Sequence, residues 1–506
     1  MSRVGNDRRD QTSPRCKRRR SSRQGSQTRR TRRLDRKRRQ RMACKARAAR
    51  RKLEHVQQAV PQPARSLFDA LSGAFTRPTF LRFVVLALAG ILTLGSRTIC
   101  NLLRTLGVLA PGHESSYQRV FSKRCWSGCR LAQRLAGWVF DHLVPDGPIF
   151  LAGDDTVDEH PGDKVFGKGC HRDPVRSTHS FTAFRWGHKW VVLSVLVRLP
   201  FTSRQWALPV LVALYHSKKD DEKAARKHKT PQQLLRQLCC LLLRWFPQRR
   251  FVLAADGDYA SHDLARFSSR QRGRLSLVSK FYPDAKLYEP PPAVEGKKGP
   301  GRPRVKGAKL PTPQEVVASA RRGRLREVAW YGGGVREVEV VSGTGHWYKA
   351  GAGLVEVRWV YVHDLSGTHR DEYFMTTDAK MTARQVVETY VARWNEETTF
   401  QEMRSYIGLE TTRGWKEKTV LRVAPCLFGV YTLVACLYSQ LPRRYTRERA
   451  VLWRGKTDVT FSDAITAVRR WLWLEWVFAI PGYKPVFEKL SRPFRSLLLH
   501  ALAPAA

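Results

Sequence analysis

The period of apolar and polar positions changes several times along the chain. From about residue 55 to 146 apolar residues recur at helical intervals, with Phe68, Leu71 and Phe75, then 80–94, then Ile99, Leu102, Leu103 and Leu106. Ser96-Arg97-Thr98 reads as the cap and first turn of the helix at Ile99, and Ser115-Ser116-Tyr117-Gln118 reads as another. Two apolar runs short enough for buried strands then end abruptly in carboxylates: Pro148-Ile149-Phe150-Leu151-Ala152-Gly153-Asp154-Asp155-Thr156, and Arg250-Phe251-Val252-Leu253-Ala254-Ala255-Asp256-Gly257-Asp258-Tyr259. Between them, 188–199 and 206–215 read as successive strands, 216–229 as a charged linker and 231–245 as a helix. Between 324 and 374 apolar and polar residues roughly alternate among glycine-rich turns, which predicts a β-rich segment.

The helical period returns near residue 379. In Tyr390-Val391-Ala392-Arg393-Trp394-Asn395-Glu396-Glu397, continuing to Arg404, a turn of about 100° per residue brings Tyr390, Arg393, Glu397 and Arg404 within about 60° of one another. Residues 413–506 read as helical, with Trp453, Trp471, Trp473 and Trp476 among many arginines. The apolar stretches 83–94 and 426–441 are too short or too diluted to read as membrane spans and are expected to be core helices.

Composition narrows the function classes. The chain carries 91 Lys+Arg against 43 Asp+Glu, a formal charge of +48, which predicts salt-dependent binding to a polyanion, with nucleic acid the natural partner and no membrane. Residues 1–52 hold 23 Lys/Arg and three Asp with almost nothing apolar, so 1–54 is expected to be a basic tail, disordered when free. Met42 offers a second start, in which case much of that tail is translated leader. Ten cysteines without paired spacing suit a reducing cytoplasm, and Cys125-Trp126-Ser127-Gly128-Cys129 with Cys170-His171 lacks the second ligand pair of a structural zinc site.

Acids ending two buried strands, plus one on a later helix, assemble a carboxylate cluster for divalent cations. A glutamate flanked by arginines on one stripe suits a metal ion held beside a phosphodiester, although Glu and Arg at this spacing also form ordinary solvated ion-pair faces.

Taken together, these residues resemble the DDE transposases of bacterial insertion sequences, in the branch whose third acid lies in a Tyr-x2-Arg-x3-Glu-x6-Lys motif. Tyr390, Arg393 and Glu397 match that motif, and Arg404 stands where it has Lys. The resemblance spans about 60–440 and implies catalytic, metal-holding acids at Asp154, Asp256 and Glu397, with Asp155 and Asp258 as the alternatives within each pair. It also implies an α/β RNase H-like core interrupted by a β-rich insertion, with helical N-terminal and C-terminal regions. The expected division is a helical DNA-binding domain at 55–146, the first part of the core at 147–285, a basic linker and β insertion at 286–378, the third-acid helix at 379–412 and a helical region at 413–506.

In that branch an aromatic of the insertion stabilises a flipped base, which makes Trp330 and Trp347 candidates, although core packing is the commoner role of such tryptophans. Tyr390, Arg393 and Arg404 are expected to contact DNA. So are Lys297, Lys298, Arg302 and Arg304 in the Gly-Arg-Pro segment 296–307, which reads either as a minor-groove hook or as a flexible basic linker. The implied cofactor is Mg²⁺, with Mn²⁺ as a substitute, as two ions about 3.5–4 Å apart. The implied partners are double-stranded element ends and target DNA, with a homodimer in the synaptic complex and a cytoplasmic, nucleoid-associated location. Cut-and-paste transposition is the expected activity. An RNase H-like nuclease and a domesticated DNA-binding protein are the alternatives.

Overall fold

The computed structural model describes residues 14–173, 177–178, 180–292 and 304–505. Its strands are β1 (Ile149–Glu159), β2 (Gly169–Arg172), β3 (Phe184–Val197), β4 (Trp206–Tyr215), β5 (Phe251–Ala255), β6 (Leu275–Lys280), β7 (Leu287–Tyr288), β8 (Gly323–Ala329), β9 (Val335–Lys349), β10 (Gly353–Asp364) and β11 (Glu372–Thr376). All of them join one mixed sheet in the order β2-β3-β1-β5-β6-β11-β10-β9-β7, with β4 also on β3 and β8 on β9. β1 is the hinge of this arrangement, antiparallel to β3 on one side and parallel to β5 on the other. The parallel pair needs a crossover, and the helix Pro231–Trp245 supplies it, started by a capping box between Thr230 and Gln233.

Alternation along the strands sorts side chains between two faces. Ile149 and Leu151 of β1, with Phe251, Leu253 and Ala255 of β5, belong to the large core shared with the crossover helix. Val252 faces the opposite side, in a smaller core with Val278, Val360, Phe374 and the helix residues Val386, Val387 and Tyr390. The crossover helix packs tightly over Gly153, since a Cβ there would stand 2.7 Å from Leu235 Cδ1.

Packing adds three features to this reading. First, the β-rich segment joins the central sheet. β11 pairs antiparallel with β6 and carries β10, β9 and β8 as an extension of the central sheet, because the edge of β6 supplies backbone partners that would otherwise stay unpaired. Second, the helices of 55–146 share a core with the C-terminal helices. Arg77–Leu92 is almost wholly buried and meets Glu417–Ser439 and Phe461–Leu472. Buried arginines tie these parts, with Arg97 Nε donating to the Gly90 carbonyl and Nη2 to the Tyr406 carbonyl, and Arg469 Nε donating to the Ile91 carbonyl. Third, Pro14–Gln58 is one helix, although burial of its described side chains begins only at Leu53. Arg, Lys, Gln and Ala lose little conformational freedom in a helix, and the packed end at Leu53 and Gln57 supplies an anchored turn from which it extends.

Helix Glu417–Ser439 is long and apolar enough to cross a membrane by length and composition, and two thirds of its most apolar window is buried inside this fold, against β4 and neighbouring helices. Thr98 caps the helix Ile99–Leu106 as its sequence suggests, whereas the next helix is capped by His113, ahead of the expected serines.

Candidate active site

The two acid-terminated runs lie side by side. Gly153 of β1 pairs with Ala255 of β5, so Asp154 and Asp256 are the next residues out along neighbouring parallel strands. Both sit at even positions and therefore project to the face covered by the helix Ala383–Ala392, the same face as Val252. Asp155 points the other way, where it accepts from Tyr259 Oη at 2.9 Å and pairs with Lys189 Nζ at 2.9 Å. Asp258 lies beyond the strand in an exposed turn. Period-two alternation thus separates Asp154 from Asp155, and the end of β5 separates Asp256 from Asp258.

The third acid arrives on a helix that changes pitch. Ala383–Ala392 is capped by a Thr382–Gln385 box, and Asn395–Glu402 continues it after Arg393 and Trp394. Across the join the backbone bonds shorten to three-residue steps, from Arg393 N–H to Tyr390, Glu396 N–H to Arg393 and Glu397 N–H to Trp394. This tightening keeps Tyr390, Arg393 and Glu397 on the sheet-facing side.

Arg393 is the hub. Its Nη1 lies 2.8 Å from Asp154 Oδ2 and 3.2 Å from Glu397 Oε1, and its Nη2 lies 3.6 Å from Asp256 Oδ1. Tyr390, packed on the Phe374 ring, donates its hydroxyl to Asp256 Oδ1 at 3.0 Å. One guanidinium therefore faces three carboxyl groups, and the charge is not balanced. Burial pushes Asp154 up to about 7, Arg393 opposing it and the neighbouring Asp155 adding to it. Burial likewise raises Glu397 against the pull of Arg393. For Asp256 burial is outweighed by Arg393, the Gly257 amide and Tyr390, which hold it below the ordinary carboxylate range. Burial works against the charge of Arg393, yet the acids around it raise its pKa above the ordinary value.

Arg393 and Tyr390 are buried within this cluster, so in this state they serve the carboxylates where the sequence reading has them on DNA. Arg404 hydrogen-bonds Thr156 of β1 and lies 3.6 Å from Glu410 through Nε, with a third of its side chain exposed. Arg304 is exposed, and Lys297, Lys298 and Arg302 lie outside the described residues. Trp330 is buried against Tyr331, and Trp347 packs on Phe281, Tyr282 and His262. Trp394, next to Arg393 in the chain, is 46% exposed and edge-on to Tyr331.

The sequence reading passed over Glu396. Its carboxyl is fully buried and accepts from Ser194 Oγ of β3 at 2.7 Å, and burial raises its pKa well above the ordinary range. The available signal was a glutamate at a helix position facing a serine in an otherwise apolar strand.

The donor set fits divalent cations. Three convergent carboxyl groups offer only oxygen, and the Arg393 guanidinium stands among them as a cationic surrogate. Fitting metal ions requires that guanidinium to withdraw from at least one acid; its other described contact is with the Tyr390 ring, 5.4 Å from the centroid.

The family model described as "DDE superfamily endonuclease" matches residues 70–337, a little over half of the chain, which includes Asp154 and Asp256 and stops before Glu397. Among solved structures, the chain is similar to a piggyBac transposase in a synaptic complex with hairpin DNA, at 10% identity over 85% of this chain and 77% of that one, with a TM-score of 0.37. No curated protein matches the sequence. By the extent of the family match, which spans both acid-terminated strands, this chain belongs to the DDE superfamily endonucleases.

Proposed function

We propose that the protein is a DNA transposase that cleaves strands at the ends of its element and joins them to target DNA, by a cut-and-paste route. The observation that carries this reading is the convergence of Asp154, Asp256 and Glu397 on one guanidinium, from two neighbouring strands and one helix. The strand sequence of the core, three antiparallel strands followed by two parallel to β1, supports reading it as RNase H-like, with the β8–β11 extension as the insertion.

When bound, a pair of divalent ions, Mg²⁺ by the all-oxygen ligand set, would activate water or a 3′-hydroxyl and neutralise charge on the scissile phosphate. Asp154, Asp256 and Glu397 would hold those ions. Tyr390 fixes Asp256 through its hydroxyl, and the Ser194–Glu396 hydrogen bond seats the third-acid helix on β3. Arg393, displaced from the acids, would have the reach to pair with a phosphate oxygen, and Arg404 lies farther along the same helical path. Trp394 is the exposed aromatic placed to stack on an unpaired base beside the acids. The large positive charge supports double-stranded DNA as partner, and a homodimer would hold two ends together in a nucleoid-associated assembly.

The test is cleavage of a duplex carrying an element end and its flank, in Mg²⁺, by the wild type and by Glu397→Ala. Cutting by the wild type alone supports the reading, and cutting retained in the variant refutes Glu397 as the third acid. Binding without cutting in the wild type would favour a domesticated DNA-binding protein.

A further inference from the structure

A second group of metal-ligating side chains lies farther along β1, four residues beyond Asp154. Asp158, His160 and His188 are all buried, at 0%, 5% and 1% exposure, and one ligand atom from each falls within 4.8 Å of the others. Asp158 pairs across the strands with His188, and His160 follows the end of β1, where its amide donates to the Trp186 carbonyl. Gly187 permits this closeness, since a Cβ there would stand 1.7 Å from the Asp158 carbonyl oxygen.

The hydrogen bonds assign the His188 ring. Nε2 is 2.9 Å from the Phe166 carbonyl, which only accepts, so Nε2 carries a hydrogen. Nδ1 faces Asp158 Oδ1, 3.4 Å away, outside regular hydrogen-bond geometry. In a buried site, a ring nitrogen facing a carboxylate oxygen at this distance needs an electrophile between them, either a proton or a metal ion. On the other side His160 Nε2 stands 3.2 Å from Asp158 Oδ2. One Asp158 oxygen and one nitrogen from each histidine lie within 4.8 Å of one another, a span that ligands about 2.0–2.1 Å from a single Zn²⁺ close with small side-chain adjustments. The His188–Phe166 bond is also the kind of contact that orients a metal-bound imidazole, with its free N–H given to a backbone carbonyl. Among the described residues no Lys or Arg forms an ion pair with Asp158; its buried carboxylate meets the two imidazoles and the His188 amide, which donates to Oδ1 at 3.1 Å.

We infer that Asp158, His160 and His188 form a binding site for a nitrogen-seeking divalent transition ion, Zn²⁺ by preference, separate from the catalytic carboxylates. Such an ion would clamp the outer end of β1 to β3. Arg404 is bonded to Thr156 two residues before Asp158, so the clamp would also steady the strand against which the third-acid helix rests. The competing occupant of the His188 Nδ1 position is a proton, which would make this a plain hydrogen-bonded cluster.

The test uses the full chain, stripped with chelator, returned to Mg²⁺ and titrated with Co²⁺. Expected are a tetrahedral nitrogen and oxygen visible spectrum, a single tightly held ion per chain, and a rise in Tm when Zn²⁺ replaces Co²⁺. Asp154→Asn and Glu397→Gln should keep that ion, while His160→Gln and His188→Gln should lose it with unchanged circular dichroism. No tight uptake by the wild type, a thiolate charge-transfer band, an octahedral spectrum, or loss in the Asp154 and Glu397 variants would each overturn the assignment. So would full retention in the histidine variants. Should the histidine variants fail to fold, the wild-type spectrum and Zn²⁺-dependent Tm still decide it.

Discussion

Ser194 Oγ donates to Glu396 Oε1 at 2.7 Å, joining the middle of β3 to the residue immediately before the third acid. The bond crosses from sheet to helix at a fully buried point, so it fixes both the height and the rotation of the helix that presents Glu397. Removing the donor strands a buried carboxyl group. Ser194→Ala is expected to cost about 1–3 kcal/mol in urea unfolding and to lower cleavage while leaving its metal dependence intact. A stability unchanged from wild type would show that Glu396 finds another donor.

Glu397→Gln keeps size and removes charge from a site where burial already opposes ionisation. The expected outcome is an unfolding midpoint within about 0.5 kcal/mol of wild type and cleavage reduced by about a hundredfold or more, measured in single-turnover assays with Mg²⁺. A large fall in stability with residual activity would make the residue structural.

Arg393 is expected to matter most when metal is absent. Arg393→Met leaves the cluster without its cation, and the cost should approach about 3–5 kcal/mol at neutral pH, the range for breaking a buried ion pair. Acidification, which protonates the acids, and added Mg²⁺, which replaces the cation, should each recover much of that loss. Thermal melts across pH with and without Mg²⁺ measure both recoveries.

The pH dependence follows from Asp154. Its pKa stands at about 7 in the folded protein, raised by burial above the ordinary 3.8, so folding favours its protonated form. In metal-free protein this contribution to stability is fully present below the ordinary carboxylate value and is lost as pH rises through about 7. Mg²⁺ competes with that proton, so its affinity should increase over the same interval, and Asp154→Asn should flatten the profile. Calorimetric titrations between acid and mildly alkaline pH measure it. A profile unchanged by Asp154→Asn would assign the titration elsewhere.

What the sequence determined by itself was local. Alternation and apolar runs located β1, β3, β4, β5 and the crossover helix, since these patterns record which side chains are removed from water. The Tyr390, Arg393 and Glu397 spacing likewise marked one helical face, and that face does meet the sheet. Tertiary structure decided everything that depends on partners distant in the chain. Parallel pairing of β1 with β5 selected Asp154 and Asp256 for the cluster and turned Asp155 toward Tyr259, a choice no single strand contains. The β6–β11 pairing merged the β-rich segment into the central sheet, because backbone hydrogen bonding carries no side-chain signature. The enclosure of Arg393 among three acids and the meeting of Asp158 with His188 arise the same way, from charge and geometry that exist only once remote strands lie side by side.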